Sequence, residues 1–118
     1  MKLFIDYVFP NLNEYINAER ANKYLAAKIK REEKDFIEWT VKGRYEGGYP
    51  VTLHIRPHYK DKRQDLDNFR MKGLIDGLVS AGVIKNDNLN CINKIILDPI
   101  FTNVPGVEIE ITETGVKQ

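Results

Sequence analysis

Residues 65–68 read Asp65-Leu66-Asp67-Asn68, with Lys72 and Asp76 following and Asn86-Asp87-Asn88 further on. Two carboxylates at i and i+2 on an extended stretch point the same way and can reach one hard cation. Asp67-Asn68 also opens an apolar-periodic segment, where Asx side chains cap the free N–H groups of a helix. On that helix Asn68, Lys72 and Asp76 fall at i, i+4 and i+8, in a row away from Met71, Leu74 and Leu78. Asp87 lies past the predicted end of the helix and joins the other two acids only by tertiary contact. Three carboxylates with no nearby Cys or His make an oxygen-only ligand set, which suits Mg²⁺ or Mn²⁺ rather than zinc. With such an ion, phosphodiesters are hydrolysed by activating water and neutralising charge on the attacked phosphate. A lysine one turn into the helix would stabilise the charge that develops.

A plainer reading of the same residues stands beside this one. Asp-x-Asp-Asn at a helix start is often a turn and a cap, Lys72 and Asp76 can form a surface ion pair, and Asp87 between two asparagines suits a loop. A calcium loop beginning at Asp65 would need Gly where Arg70 stands and Glu where Asp76 stands. His54 and His58 are four apart, but on a strand and its exit, with Pro57 between them, and read as surface histidines beside DNA or solvent. Trp39 reads as a core residue and Cys91 as a buried small one. There is no Walker A motif and no Gly-rich dinucleotide loop.

The elements that must position these residues follow from periodicity. Residues 2–8 alternate around Leu3, Ile5 and Tyr7 and read as a strand. Pro10, Asn11 and Asn13 mark a turn. From about Glu14 to Lys42 the chain is rich in helix formers, with Leu25, Ile29, Phe36 and Trp39 at helical spacing. One long helix is expected there, after a short turn or helix. Residues 51–57 alternate as a half-buried strand. A second helix is expected from Asn68 to Ser80, stopped by Gly82. Residues 92–97 and 107–112 read as two more strands, the last with one wet face. The order strand, helix, strand, helix, strand, strand predicts an α/β or α+β fold with helices packed on a mixed sheet.

The 118 residues suggest one domain, 1–118, with 42% hydrophobic and 30% charged residues, the balance of a globular protein. A single cysteine excludes an intrachain disulfide and a cysteine-based zinc cluster within one chain, and suits a reducing cytoplasm. Asp6 interrupts the first apolar run too early for a signal peptide, and no run of eighteen apolar residues suggests a membrane span. The net charge of +1 does not by itself indicate nucleic acid, but its distribution does more. Arg56 to Arg63 is a basic stretch running into the acid cluster, Lys28, Lys30 and Arg31 form a second one, and acids collect at Glu108, Glu110 and Glu113. The basic residues Lys60, Lys62 and Arg63, then Lys28, Lys30 and Arg31, are the candidates for contacting DNA phosphates.

The ordered series Asp65-Leu66-Asp67-Asn68, Lys72, Asp76-Gly77-Leu78, Ala81-Gly82-Val83 and Asp87 resembles the signature of the RusA-type Holliday junction resolvases. That family carries Asp-x-Asp-Asn, a lysine on the following helix, Asp-Ala/Gly-Leu, a glycine and an acidic pair. Pro10 to Tyr15 is similar to its Asn-containing N-terminal turn, Lys60 to Arg63 to its arginines before the first aspartate, and Val107 to Gly115 to its last strand. Lys72 stands one residue further from Asn68 than the family pattern, and Asn86 stands where the first acid of the pair often does. The resemblance implies a Mg²⁺-dependent homodimer that resolves four-way DNA junctions by paired nicks, in DNA recombination and repair. It implies catalytic roles for Asp65, Asp67, Asp87 and Lys72, the three acids as metal ligands, and a DNA contact at Asn13. Many relatives lie in prophages, so a phage or prophage origin is expected. Two other readings are a non-catalytic DNA-binding dimer of the same fold and a flap or fork nuclease. The acid trio argues against the first, since clustered carboxylates without a metal repel DNA.

Overall fold

Strict alternation over Val51, Leu53 and Ile55 leaves a strand with one apolar and one polar face, and this strand becomes the centre of the sheet. The computed structural model describes residues 1–115. The chain runs β1 (Lys2–Ile5), α1 (Leu12–Ala21), α2 (Lys23–Thr40), β2 (Val51–Tyr59), a 3₁₀ turn (Leu66–Asn68), α3 (Met71–Ser80), β3 (Ile92–Leu97), β4 (Ile100–Phe101) and β5 (Val107–Glu113). Strand order is β1-β5-β2-β3, with β4 also pairing β2. β5 is antiparallel to β1 and β2, while β2 runs parallel to β3 and β4. The fold is α+β with a mixed, open sheet, as the element pattern predicted.

One face of the sheet is the core. Ile5 of β1, Val51, Leu53 and Ile55 of β2, and Ile109 and Ile111 of β5 are buried together with Ile37 of α2 and Leu74 and Leu78 of α3. Burying each such side chain contributes roughly 1.5–3 kcal/mol of transfer free energy. The other face is polar. Arg56 meets Glu110 at 3.4 Å, and Lys2 meets the same carboxylate at 3.7 Å.

The long helix follows a short one, as read from the sequence, and other expectations are corrected. The two helices meet at Asn22. Asn22 is extended, its N–H closes α1 onto the Ala18 carbonyl, and its side chain accepts from the Tyr24 N–H to open α2. The buried stripe of α2 runs through Ala26, Glu33 and Ile37, so Trp39 lies on the outer face, 79% exposed, and is not core. β1 stops at Ile5 rather than residue 8. α3 starts at Met71 rather than Asn68, because Phe69 and Arg70 leave helical geometry between the 3₁₀ turn and the helix. β4 was not foreseen, and β3 lies at the sheet edge with Ile95 and Ile96 exposed. Cys91 is half-buried, free, and packs against the core.

Candidate active site

The Asp-x-Asp-Asn segment leaves the C-terminal end of β2 through the basic loop and closes as a tight 3₁₀ turn. The Asn68 and Phe69 N–H groups donate to the carbonyls of Asp65 and Leu66, each at 3.1 Å. Asp65 makes no capping hydrogen bond, and the residue before α3, Arg70, makes none either. The capping role expected of Asp67-Asn68 at the start of α3 is therefore not taken up, because the helix begins three residues later. Asp65 and Asp67 stand exposed instead. Asn68 turns away from α3, so the expected row of Asn68, Lys72 and Asp76 is broken at its first member. Its Oδ1 accepts from the Asn13 N–H at 3.1 Å, which fixes the acid turn to the first turn of α1.

A second anchor lies just beyond. Arg70 is 6% exposed and Glu33, on the core stripe of α2, is 1% exposed. Their side chains pair through two charge-assisted hydrogen bonds, Nη1 to Oε2 at 2.7 Å and a shorter one from Nη2 to Oε1. Tyr15 of α1 lies over the guanidinium, 4.3 Å from ring centroid to Cζ. All three helices thus converge on Arg70, three residues after Asp67 and two before Lys72. Gly73 makes room for this pair, since a Cβ there would land on the guanidinium. Burial pushes the nearby Tyr7 phenol up, and Glu33 adds to the effect. Sequence reading missed Glu33, Arg70 and Tyr15. The available signal was an acid standing on the apolar stripe between Ala26 and Ile37, which requires a buried cation.

Lys72 projects from the first turn of α3, its side chain 77% exposed, with Nζ 3.4 Å from Asp76. Lys30 approaches the same end from α2. A hydrogen bond to Tyr15 raises its ammonium pKa, with Glu19 and Asp76 adding to the shift. Lys28 and Arg31 are exposed on α2, Lys28 paired with Glu32 at 3.8 Å. In the loop ahead of Asp65, Lys60 is exposed, Lys62 lies over the Phe101 ring, and Arg63 pairs with Asp61 at 3.3 Å. Arg56, read as part of the same basic stretch, is committed to Glu110 on the sheet.

Asp87 is elsewhere in the chain. Its loop follows the far end of α3, a helix of ten residues that rises about 15 Å. The loop docks at the N-terminal end of β2, where the Val51 N–H donates to the Cys91 carbonyl at 2.7 Å. Asp65 follows the opposite end of that strand. Among the described residues no group of three His, Cys, Asp or Glu side chains is placed to hold a metal ion. One chain thus carries Asp65 and Asp67 on the turn that Asn13 holds, Lys72 at the start of the helix that follows, and Asp87 beyond the other end of that helix. The histidines are also corrected. His58 is 8% exposed, with Nδ1 at 2.9 Å from the Val104 carbonyl and Nε2 at 2.7 Å from Glu108. His54, 24% exposed, contacts Asp98 at 3.3 Å.

An acid turn is followed by a lysine on the next helix and preceded by a basic loop, all on a small α+β chain. The chain belongs to the RusA family, whose description, Endodeoxyribonuclease RusA, matches residues 9–112. It is therefore an endodeoxyribonuclease, of a family that acts on Holliday junctions and is generally divalent-metal dependent. No match is found among curated proteins. No helix among the described residues is long and apolar enough to cross a membrane.

Proposed function

We propose that residues 1–118 act as one endonuclease domain that resolves four-way junctions by paired symmetric nicks, as a Mg²⁺-dependent two-fold homodimer. The observation that carries this reading is the exposed Asp65–Asp67 turn, clamped between α1 and α2, with Lys72 on the next helix and Lys60–Arg63 leading into it. Asp65 and Asp67 offer oxygen donors suited to a hard cation that keeps several waters. Asp87 fits the same ligand set only when it comes from a second copy. A two-fold dimer that lays the Asp87 loop of each chain against the Asp65 turn of the other completes two equivalent sites at once. Leu89, Ile95 and Ile96, exposed on that loop and on the edge strand β3, supply apolar surface for such pairing.

A divalent cation held there supplies activation of water and neutralisation of the attacked phosphate. Lys72 stabilises charge on the phosphoryl oxygens as it develops. Lys60, Lys62 and Arg63 bind the phosphates that approach the turn, with Lys28, Lys30 and Arg31 extending the basic surface across α2. Asn13, at the start of α1, holds the turn and stands at its DNA-facing end.

The test is an incubation of labelled four-way junction, flap and linear duplex with the protein, in Mg²⁺ or in chelator. Symmetric cutting of the junction alone, lost in chelator, is expected. Preferential flap or fork cutting would reassign the substrate, and binding without cutting would leave a non-catalytic DNA-binding dimer.

A further inference from the structure

We propose that the cavity beside the acid turn receives a nucleobase extruded at the branch point of the DNA, an inference that rests on the junction-binding reading above. The cavity measures about 300 Å³ and lies between the end of β2, the turn before α1 and the 102–106 loop. Tyr7, Phe9, Tyr59 and Phe69 contribute aromatic walls, and Gln64 and Asn103 contribute amides. These walls are already packed: Tyr7 and Phe9 meet edge to face at 5.0 Å, and Phe9 and Phe69 at 6.5 Å. The 102–106 side is held by the contact of His58 Nδ1 with the Val104 carbonyl. A flat aromatic surface with a few amides takes a base by stacking and reads its edge by hydrogen bonds.

Position points to the same ligand. Gln64 lines the cavity and is bonded directly to Asp65, and Lys60 lines it too. A strand whose phosphates lie on the basic loop and whose cut phosphate lies at Asp65–Asp67 carries its neighbouring nucleotides across the mouth. Glu14 and Asp61 also border the cavity, which disfavours a phosphate inside and leaves the neutral base as the fitting part of a nucleotide. At a branch point each base has lost a stacking neighbour, so extrusion costs less there than from continuous duplex.

Photo-crosslinking tests this. Junctions carrying 5-iodouracil or 5-iodocytosine at each nucleotide flanking the branch are bound to the full chain in chelator, irradiated, and the crosslinked peptides are mapped by mass spectrometry. One or two positions should crosslink to Tyr59, Tyr7 or Phe69. Asn103→Trp, which narrows the mouth, and Tyr59→Leu, which removes a stacking wall, should abolish that crosslink. Both should weaken junction binding by about tenfold or more, the scale of one lost base–aromatic stack, with linear-duplex binding unchanged and, for the exposed Asn103, the melting temperature unchanged as well. Crosslinks confined to residues 60–63, or a crosslink that survives Asn103→Trp, overturn the proposal while leaving junction cleavage intact. Failure of the unsubstituted protein to bind junctions at all overturns both readings.

Discussion

Asp67 sits exposed on a 3₁₀ turn held by the Asn68 side chain's contact with α1 and by the Arg70 pair with α2 just beyond it, so its carboxylate can be changed without disturbing a core. Asp67→Asn should abolish cleavage while junction binding holds or tightens, because losing a negative charge cannot weaken attraction to phosphate. Cleavage and gel-shift assays on the purified variant check this, and near-normal cutting in Mg²⁺ would sink the metal role. Lys72→Ala should slow cleavage by about 10²-fold or more, the scale of one lost electrostatic stabiliser. Its melting temperature should hardly move, since the pair with Asp76 is exposed and such pairs contribute little. The candidate acids and lysine could be singled out in the sequence because the ordered series from Asp65 to Asp87 resembles the family signature, while their spacing alone also suits a turn, a cap and a surface ion pair. Glu33 and Arg70 were not, because their pairing joins positions 37 residues apart and only the packing of α2 on α3 brings them together.

At the scale of elements, the start of α3 is set by a buried ion pair rather than by a cap. Arg70→Met should destabilise the chain by about 3–5 kcal/mol by leaving the Glu33 carboxylate buried and uncompensated. The double variant Glu33→Leu with Arg70→Met should recover most of that stability, since apolar replacements of a buried pair are often neutral. Its cleavage should stay depressed, because the guanidinium between Glu33 and Tyr15 positions the acid turn. Thermal melts and single-turnover rates separate the two effects, and wild-type cleavage by the double variant would make the pair purely structural. Neutralising Lys60, Lys62 and Arg63 together should weaken junction binding and flatten its salt dependence, each lost phosphate contact removing released counterions. An unchanged slope would move the DNA surface to Lys28, Lys30 and Arg31. The strands β2 and β5 were readable from period-2 alternation, since each has one buried and one wet face. The helical region was read with its face misplaced. Leu25 and Trp39 carry apolar weight but lie exposed, while the true stripe includes an acid that hydropathy counts against it.

For the molecule as a whole, Asp87 stands beyond the far end of α3 from Asp65 and Asp67, which makes the dimer proposal sharp. Sedimentation should give twice the chain mass, and mixed dimers with one Asp67→Asn chain should nick each junction once. A monomer that still makes two coupled cuts would overturn it. Nothing in the sequence could have placed Asp87, because the direction of α3 relative to β2 is a property of packing. Stability should also respond to alkali. Burial raises the phenol pKa of Tyr7 and of Tyr59 above the ordinary value of 10.0, so the folded chain keeps these protons after the unfolded chain has lost them. Their contribution is complete below pH 10.0 and is lost as pH rises through the folded values. Denaturant titrations in that range should show a shallower loss for Tyr7→Phe with Tyr59→Phe than for the unsubstituted chain.

The joint at Asn22 limits how this chain can change length. A single residue ends one helix and begins the next, leaving no slack between them. One residue inserted between Asn22 and Glu33 would turn either the part of α2 before it or the part after it by about 100°. If the outer end stays docked, Glu33 swings away from Arg70. If Glu33 stays, α1 is carried round with Asn13 and Tyr15 and leaves the acid turn. The exposed stretch 42–44 beyond the end of α2 lies outside any helix or strand and can take up an extra residue without rotating a helix. Insertions and deletions that preserve function should therefore be tolerated in that stretch and purged from the eleven positions after Asn22, although those positions carry mostly exposed side chains.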